Sequence, residues 1–165
     1  MGDAHGGDKR GLVLLVDNDV ESRRHTRRLL ELQGMDVVQA SNGIAALELI
    51  QRLPESFRLV ITELDLPDLS GTILVETLRL FRPDLRTLCL SNRAAAGVAT
   101  GRQCLLKPVE GATLQAALLD GHAIPDSSEL PEVWAARARA RFAMVGDLVE
   151  AALELSRAAG SEDGG

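Results

Sequence analysis

The stretch LVITELDLPDLSG, from Leu59 to Gly71, decides the fold. Its first four residues, Leu59 to Thr62, are apolar or β-branched, which is typical of a strand buried on both faces of a parallel sheet. Glu63 comes directly after this run, and Pro67 and Gly71 indicate a loop before the next helix. Ligands of open α/β sheets bind beyond the carboxyl ends of the strands, so an acid placed there indicates a site.

Short apolar strands alternate with helical segments on both sides of this stretch. The run LVLLV, Leu12 to Val16, precedes a helical segment from Val20 to Gln33 that Gly34 ends. Strands and helices alternating at this spacing form βαβ units, which wind right-handed into a parallel sheet with helices on both faces. The other predicted strands are Asp36–Ala40, Thr87–Leu90 and Cys104–Leu106, and the other predicted helices are Ile44–Leu53, Thr72–Phe81 and Ala112–Leu119.

The composition is that of a soluble globular protein. The chain has 165 residues, of which 45% are hydrophobic and 25% charged, enough for one domain plus an appendage. A formal net charge of −6 argues against broad nucleic-acid binding, which needs a basic face. No apolar stretch approaches the roughly 18 residues of a membrane span, and the polar N-terminus does not resemble a signal peptide. We therefore expect a cytoplasmic protein that binds neither nucleic acid nor membrane.

Cysteine and histidine give no clear sign of a metal site. Cys89 and Cys104 lie in apolar runs, which favours reduced core thiols, with a redox pair as the alternative. The histidines lack metal-ligand spacing and are expected at the surface. They are His5, His25 and His122.

Four motifs resemble the receiver domain of response regulators in two-component signalling. The resemblance covers Leu12 to Asp120 and implies a flavodoxin-like, doubly wound α/β fold with five parallel strands in the order 2-1-3-4-5. The motifs are VLLVDND (Val13–Asp19), VITELDLPDLSG (Val60–Gly71), LCLS (Leu88–Ser91) and LLKP (Leu105–Pro108).

The resemblance also implies the residues of a phosphoryl-transfer site. In the family, acids after strand one and an aspartate after strand three hold Mg²⁺, and that aspartate accepts a phosphoryl group from a histidine kinase. A Ser or Thr after strand four and a Lys after strand five, followed by a cis-proline, contact the phosphoryl oxygens. Carried over by position, the acceptor is Glu63, the acidic pocket is Asp17, Asn18, Asp19 and Asp65, the phosphate contacts are Ser91, Lys107 and Pro108, and the switch aromatic is Cys104.

The chain departs from the family pattern where the chemistry is demanding. The Glu63 carboxylate lies about one C–C bond further into the crevice than that of an aspartate, and Asn18 stands where a charged metal ligand is usual. Cys104 replaces an aromatic residue, and the segment between Ser91 and Lys107 is shorter than usual. Mg²⁺ demands near-ideal octahedral oxygen geometry, so we expect a weak Mg²⁺ site at most and no other cofactor. Any such site would use Asp17, Asn18, Glu63 and Asp65.

Two functions are compatible with these departures. If Glu63 reaches Lys107 and Ser91 through charge-assisted hydrogen bonds, the domain is fixed in one state. It is then a non-enzymatic, phosphorylation-independent interaction module of bacterial signal transduction, binding a histidine kinase, a phosphotransfer protein or a downstream effector.

Alternatively, the chain is a working receiver of a phosphorelay that accepts phosphate at a noncognate acid such as Asp65, although Asp65 is expected to face away from the crevice. The Glu63–Lys107 pair has a purely structural alternative, an ion pair left from an ancestral site, and Asp17 and Asp19 could serve as caps of the following helix.

A second segment follows Asp120. Apolar residues at helical spacing predict one long helix from Pro131 to Ala159, roughly 40 Å in length. Its first half is basic and its second half acidic, which favours antiparallel pairing. The helix therefore either forms a homodimer or docks a partner, or it folds back over its own domain. Its predicted interaction residues are Trp134, Phe142, Val145 and Val149, and the predicted organisation is a flexible N-terminus (1–10), receiver (11–120), linker (121–130), helix (131–159) and disordered tail (160–165).

Overall fold

The computed structural model describes residues 11–53, 56–82, 85–93, 104–119 and 147–160. Within these residues, short strands alternate with helices as far as the fourth strand, and a fifth strand and two helices follow. The strands are β1 (Leu12–Val16), β2 (Val37–Ala40), β3 (Phe57–Glu63), β4 (Arg86–Ser91) and β5 (Cys104–Leu106). The helices are α1 (Val20–Leu32), α2 (Gly43–Arg52), α3 (Gly71–Phe81), α4 (Gly111–Leu119) and α5 (Leu148–Gly160).

The described strands form one parallel sheet in the order β2-β1-β3-β4-β5, which confirms the predicted flavodoxin-like topology. Central pairing of β1 with β3 places Val16 beside Thr62. Because the two strands run in the same direction, the residues that follow this pair, Asp17 and Glu63, lie side by side at one edge of the sheet.

Helices cover both faces of the sheet. Leu14 and Val16 pack in a cluster with residues of α2, α3 and α5, whereas Val13 and Leu15 pack with residues of α1 and α4. Side chains alternate across a strand, so the continuous apolar run of β1 contributes to two cores at once. This burial on both faces is the physical reason for its unbroken hydrophobicity.

Local signals set the ends of α1 close to the predicted positions. The Asp19 carboxylate accepts a hydrogen bond from the Ser22 N–H at 2.9 Å and caps the N-terminus. Gly34 follows the helix with a φ of 79°, a conformation that favours glycine. Its N–H returns to the Glu31 carbonyl at 2.9 Å, as in a Schellman motif.

Two strands extend further than predicted. β3 includes Glu63 and β4 includes Ser91 as their final residues, although sequence reasoning placed both residues beyond the strand ends. The predicted strands ended too early because a polar side chain ends the apolar run in the sequence but does not end the backbone hydrogen bonding between strands. Both side chains therefore project from rigid strands rather than from loops.

The C-terminal helix begins at Leu148. The prediction of one continuous helix from Pro131 to Ala159 is therefore wrong at Asp147. Asp147 is not helical and caps the helix, since its Oδ1 accepts a hydrogen bond from the Val149 N–H at 2.9 Å. The preceding Gly146 disfavours a helix interior by about 1 kcal/mol. Several predicted features lie outside the described residues: Trp134, Phe142 and Val145, the N-terminus (1–10), the linker (121–130) and the tail beyond Gly160.

The described C-terminal helix packs on its own domain. Leu148, Ala152 and Leu155 are buried in the same cluster as Leu14 of β1, and α5 contacts α2 and α3. The Leu148 N–H also donates to the Gln51 side chain at 2.8 Å. This packing favours the alternative in which the segment folds back, and Val149 lies partly buried against that core. None of the described helices is long and apolar enough to cross a membrane.

Candidate functional site

The carboxyl ends of β1, β3 and β5 meet at an open cavity of about 640 Å³. Its lining includes Asn18, Glu63, Asp65, Lys107 and Pro108, which lie at or just beyond the ends of these three strands. This is the edge where parallel α/β sheets bind their ligands. The predicted crevice is therefore present, and its lining contains charged groups of both signs.

One lysine joins two buried carboxylates at the base of this cavity. The Lys107 Nζ lies 2.8 Å from Asp17 Oδ2 and also contacts Glu63 Oε2. The Asp17, Glu63 and Lys107 side chains are 0%, 3% and 7% exposed. We call these three residues the ion cluster. A buried charge left without its partner is strongly destabilising, so each member of the ion cluster depends on the others.

The ion cluster alters the titration of its lysine. Burial acts to lower the pKa of Lys107, but the hydrogen bonds with Asp17 and Glu63 outweigh it and raise the pKa above its ordinary 10.5. The ammonium therefore stays charged at neutral pH, where it compensates the neighbouring carboxylates.

Protein donors occupy the remaining carboxylate oxygens of the ion cluster. Asp17 Oδ1 accepts from the Asp19 N–H at 3.0 Å, and Asp17 Oδ2 accepts from the Ser22 hydroxyl at 2.7 Å. Glu63 Oε1 accepts from the Asp65 N–H at 3.0 Å. These bonds orient both carboxylates toward the protein. Of the two suggested cap residues, Asp19 caps α1, whereas Asp17 bonds the Asp19 N–H and the Ser22 hydroxyl.

The loop after Glu63 is fixed at both of its ends. A Cβ atom on Gly71 would collide with the Glu63 carbonyl oxygen, so a glycine lets α3 start directly against the end of β3. The Asp68 carboxylate accepts from the Gly43 and Ile44 N–H groups at 2.9 and 2.8 Å. Partial burial opposes ionisation, but these two bonds hold the pKa of Asp68 below its usual value. The loop is thereby tied to the start of α2.

The structure brings Glu63 to Lys107 but not to Ser91. The buried Ser91 hydroxyl instead accepts a hydrogen bond from the Arg93 N–H at 3.0 Å. This corrects the expected Glu63–Ser91 contact, and the reason is local: a hydroxyl at a strand end readily bonds an N–H two residues on. The peptide bond between Lys107 and Pro108 is cis, as the resemblance implies.

The position of Asp65 corrects a second expectation. Sequence reasoning expected it to face away from the crevice, yet it lines the cavity with a side chain that is 65% exposed. Its Oδ1 lies 3.3 Å from a guanidinium nitrogen of Arg93. Asn18 is also exposed at the same edge. Cys104 does not line the cavity and packs instead against Leu64, Val75 and Cys89.

Sequence reasoning missed three contributors to the site. Ser22 bonds Asp17 across the first turn of α1, and Arg23 donates to the Asp17 carbonyl at 2.6 Å. The signal for both was their place in the first turn after Asp17, facing back to the strand end. His25 is exposed as expected but lines the cavity, with its Nε2 2.7 Å from the Val109 carbonyl oxygen.

The donors at this site do not fit Mg²⁺ as they stand. The ion prefers about six oxygen ligands in octahedral geometry, whereas the carboxylate oxygens of Asp17 and Glu63 already contact N–H, O–H or ammonium groups. Asn18 supplies no charge. Among the described residues, no group of three or more His, Cys, Asp or Glu side chains could hold a metal ion.

Comparison with protein families gives a match over more than half of the chain. Residues 13–119 match the model of the response regulator receiver domain. The match runs from the second residue of β1 to the last residue of α4.

Curated proteins with similar sequences include regulatory proteins and a sensor kinase. The photosynthetic apparatus regulatory protein RegA of Rhodovulum sulfidophilum is 32% identical over 126 residues, covering 72% of this chain and 68% of that protein. A homolog of the transcriptional regulatory protein CpxR from Haemophilus influenzae is 44% identical over 70 residues, covering 42% of this chain. The chain spans only 28% of the length of the CpxR homolog and 9% of the sensor kinase CckA of Brucella abortus.

Solved structures of receiver domains resemble the described fold. A response regulator receiver protein from Pseudomonas putida is 29% identical with a TM-score of 0.57, covering 67% of this chain and 97% of that one. The receiver domain of the hybrid histidine kinase CckA is 25% identical with the same TM-score of 0.57 and the same coverage of both chains.

Proposed function

We propose that this chain, which belongs to the response regulator receiver family, is a phosphorylation-independent interaction module of two-component signalling. The observation that carries the proposal is the ion cluster, in which Glu63 stands at the acceptor position and is held by Lys107 and the Asp65 N–H. Its two carboxylate oxygens are engaged with the protein, so the site is internally satisfied.

The length of Glu63 opposes phosphoryl transfer. Such transfer depends almost entirely on positioning and electrostatic stabilisation, and a displacement of about 1 Å can reduce a rate on the order of a hundredfold. The side chain already places a negative group on Lys107, which is what a phosphorylated aspartate would do. The domain therefore keeps one crevice state, and its signal is carried by surfaces that bind other proteins.

The partner class follows from the family. Curated relatives include a transcriptional regulatory protein and a sensor kinase. We therefore propose a signalling protein of the cytoplasm as the partner: a histidine kinase, a phosphotransfer protein or a downstream effector. The module itself performs no catalysis in this proposal.

Phosphoryl labelling tests the proposal. Wild type, Glu63→Asp and Glu63→Gln are incubated with acetyl phosphate and Mg²⁺, and the intact masses are measured. Glu63→Gln removes the carboxylate and sets the background. We expect wild type to match this background and Glu63→Asp to gain an adduct, because the shorter acid restores the family geometry. Wild type labelled as fully as Glu63→Asp would overturn the proposal.

One observation favours a second candidate, a receiver that accepts phosphate at Asp65. Its carboxylate is exposed in the same cavity, and Arg93 lies beside it. In this alternative, wild type and Glu63→Gln both label, since both retain Asp65, and Asp65→Asn abolishes the label. If Asp65→Asn leaves the wild-type label intact, this candidate is excluded.

A further inference from the structure

The two cysteines face each other across neighbouring strands. Cys89 of β4 and Cys104 of β5 are register partners in the parallel sheet. Neighbouring strands lie about 4.7–4.9 Å apart, which falls within the Cα separation of about 4.4–6.8 Å that a disulfide requires. Both side chains belong to one small apolar cluster with Leu64 and Val75, so they lie on the same face of the sheet. The backbone therefore already meets the main geometric condition for a bond between them.

The two thiols differ in access. Neither forms a disulfide in this structure, and Cys89 is buried whereas Cys104 is half-buried. Cys104 lies on β5, which ends the order of the described sheet. A hydrogen bond with Cys104, together with burial, raises the pKa of the Cys89 thiol. An oxidant from solvent therefore reaches Cys104 first, and the buried Cys89 thiol lies beside it on the neighbouring strand, where it can react with oxidised Cys104.

We propose that Cys104 and Cys89 form a reversible disulfide that joins β4 to β5 when hydrogen peroxide oxidises Cys104. The Cys104 sulfur attacks one peroxide oxygen and breaks the O–O bond, which leaves a sulfenic acid and releases water. The Cys89 sulfur then attacks the Cys104 sulfur, and the sulfenic hydroxyl leaves with the Cys89 proton as a second water. Two thiols and one peroxide thus give one disulfide and two waters.

The bond would act at the edge of the candidate site. Cys89 precedes Ser91 by two residues on β4, and Cys104 precedes Lys107 by three residues on β5 and its extension. A covalent link fixes these strand ends relative to each other. Cys104 is half-buried on the last strand of the described sheet, and a disulfide with a partly exposed sulfur belongs to the labile, regulatory kind rather than the structural one. This inference does not rest on the proposed function, because the bond is measured in the chain alone.

Mass spectrometry of the full chain tests the proposal. Reduced protein is exposed to hydrogen peroxide, quenched with catalase, and alkylated with iodoacetamide under denaturing conditions. We expect loss of both alkylation sites, a mass lower by two hydrogen atoms, and a peptide linking Cys89 to Cys104. Dithiothreitol should restore both alkylation sites.

Matched variants assign the order of steps. Cys89→Ala should accumulate a sulfenic acid at Cys104 that dimedone traps, whereas Cys104→Ala should stay unmodified at Cys89. Circular dichroism checks that both variants fold, and the wild-type experiment stands without them. Three results would overturn the proposal: both thiols remain alkylatable, Cys104 proceeds to sulfinic acid while Cys89 stays free, or the only disulfide joins two chains.

Discussion

Replacement of Lys107 by methionine should cost more stability than any exposed charge change in this protein. Methionine keeps much of the side-chain volume but leaves the Asp17 and Glu63 carboxylates buried without a counter-ion. At the 2.8 Å that separates Lys107 Nζ from Asp17 Oδ2, and with an effective dielectric constant of about 20, the lost attraction is about 6 kcal/mol. Desolvation of the charges offsets part of it, and measured losses for such truncations are about 3–5 kcal/mol.

Urea unfolding at neutral pH measures this loss. For a slope of about 2 kcal/mol per molar urea, a loss of about 4 kcal/mol lowers the unfolding midpoint by about 2 M. Arg27→Met is the matched control, since Arg27 pairs with Glu31 at 3.2 Å with side chains 43% and 49% exposed. An exposed pair contributes less than about 1 kcal/mol. If Lys107→Met loses no more than Arg27→Met, the ion cluster does not hold this edge of the sheet together, and the reasoning fails.

Three further outcomes follow from the same structure. The pKa of Lys107 in the folded protein lies above its ordinary 10.5, so the stabilisation by the charged lysine is complete below pH 10.5 and is lost as the pH rises above it. The difference in unfolding free energy between wild type and Lys107→Met should therefore narrow in urea titrations above pH 10.5. A constant difference would contradict a raised pKa. Leu155→Ala, at a site 1% exposed, should cost about 2–5 kcal/mol, whereas Arg157→Ala, at a side chain 62% exposed, should stay within about 0.5 kcal/mol; equal thermal midpoints would mean that α5 does not pack on the domain. Gly71→Ala should cost about 1–3 kcal/mol in thermal unfolding, because its Cβ meets the Glu63 carbonyl, and a neutral result would show that the loop can shift freely.

The order of strands and most helix ends could be predicted because each rests on a local signal. The run from Leu12 to Val16 is apolar throughout because both faces of β1 are covered, and Gly34 ends α1 because its φ is positive. Polar strand ends could not be placed, since Glu63 and Ser91 break the apolar pattern while their backbones stay in the ladder.

The contacts within the site were predictable only in part. The Glu63–Lys107 pair follows from opposite charges at the carboxyl ends of β3 and β5, which meet at the same edge of the sheet. The hydrogen-bond partner of Ser91 depends on the loop after β4, where Arg93 offers its N–H, and no periodic pattern encodes that geometry. The non-helical backbone at Asp147 was similarly hidden, because the helical spacing of apolar residues from Val145 to Val149 continues across it.

The most direct measurement of the central claim is a Mg²⁺ titration of the wild-type chain followed by backbone amide NMR. The Asp65 and Asp19 N–H groups bond Glu63 and Asp17, so their shifts report any cation that displaces these bonds. An Asn18→Asp, Glu63→Asp double variant, with the family's acids restored, serves as the positive control. We predict saturable shifts at millimolar Mg²⁺ in the double variant and none in wild type. Saturable shifts of both amides in wild type at the same concentrations would contradict the account of an internally satisfied crevice.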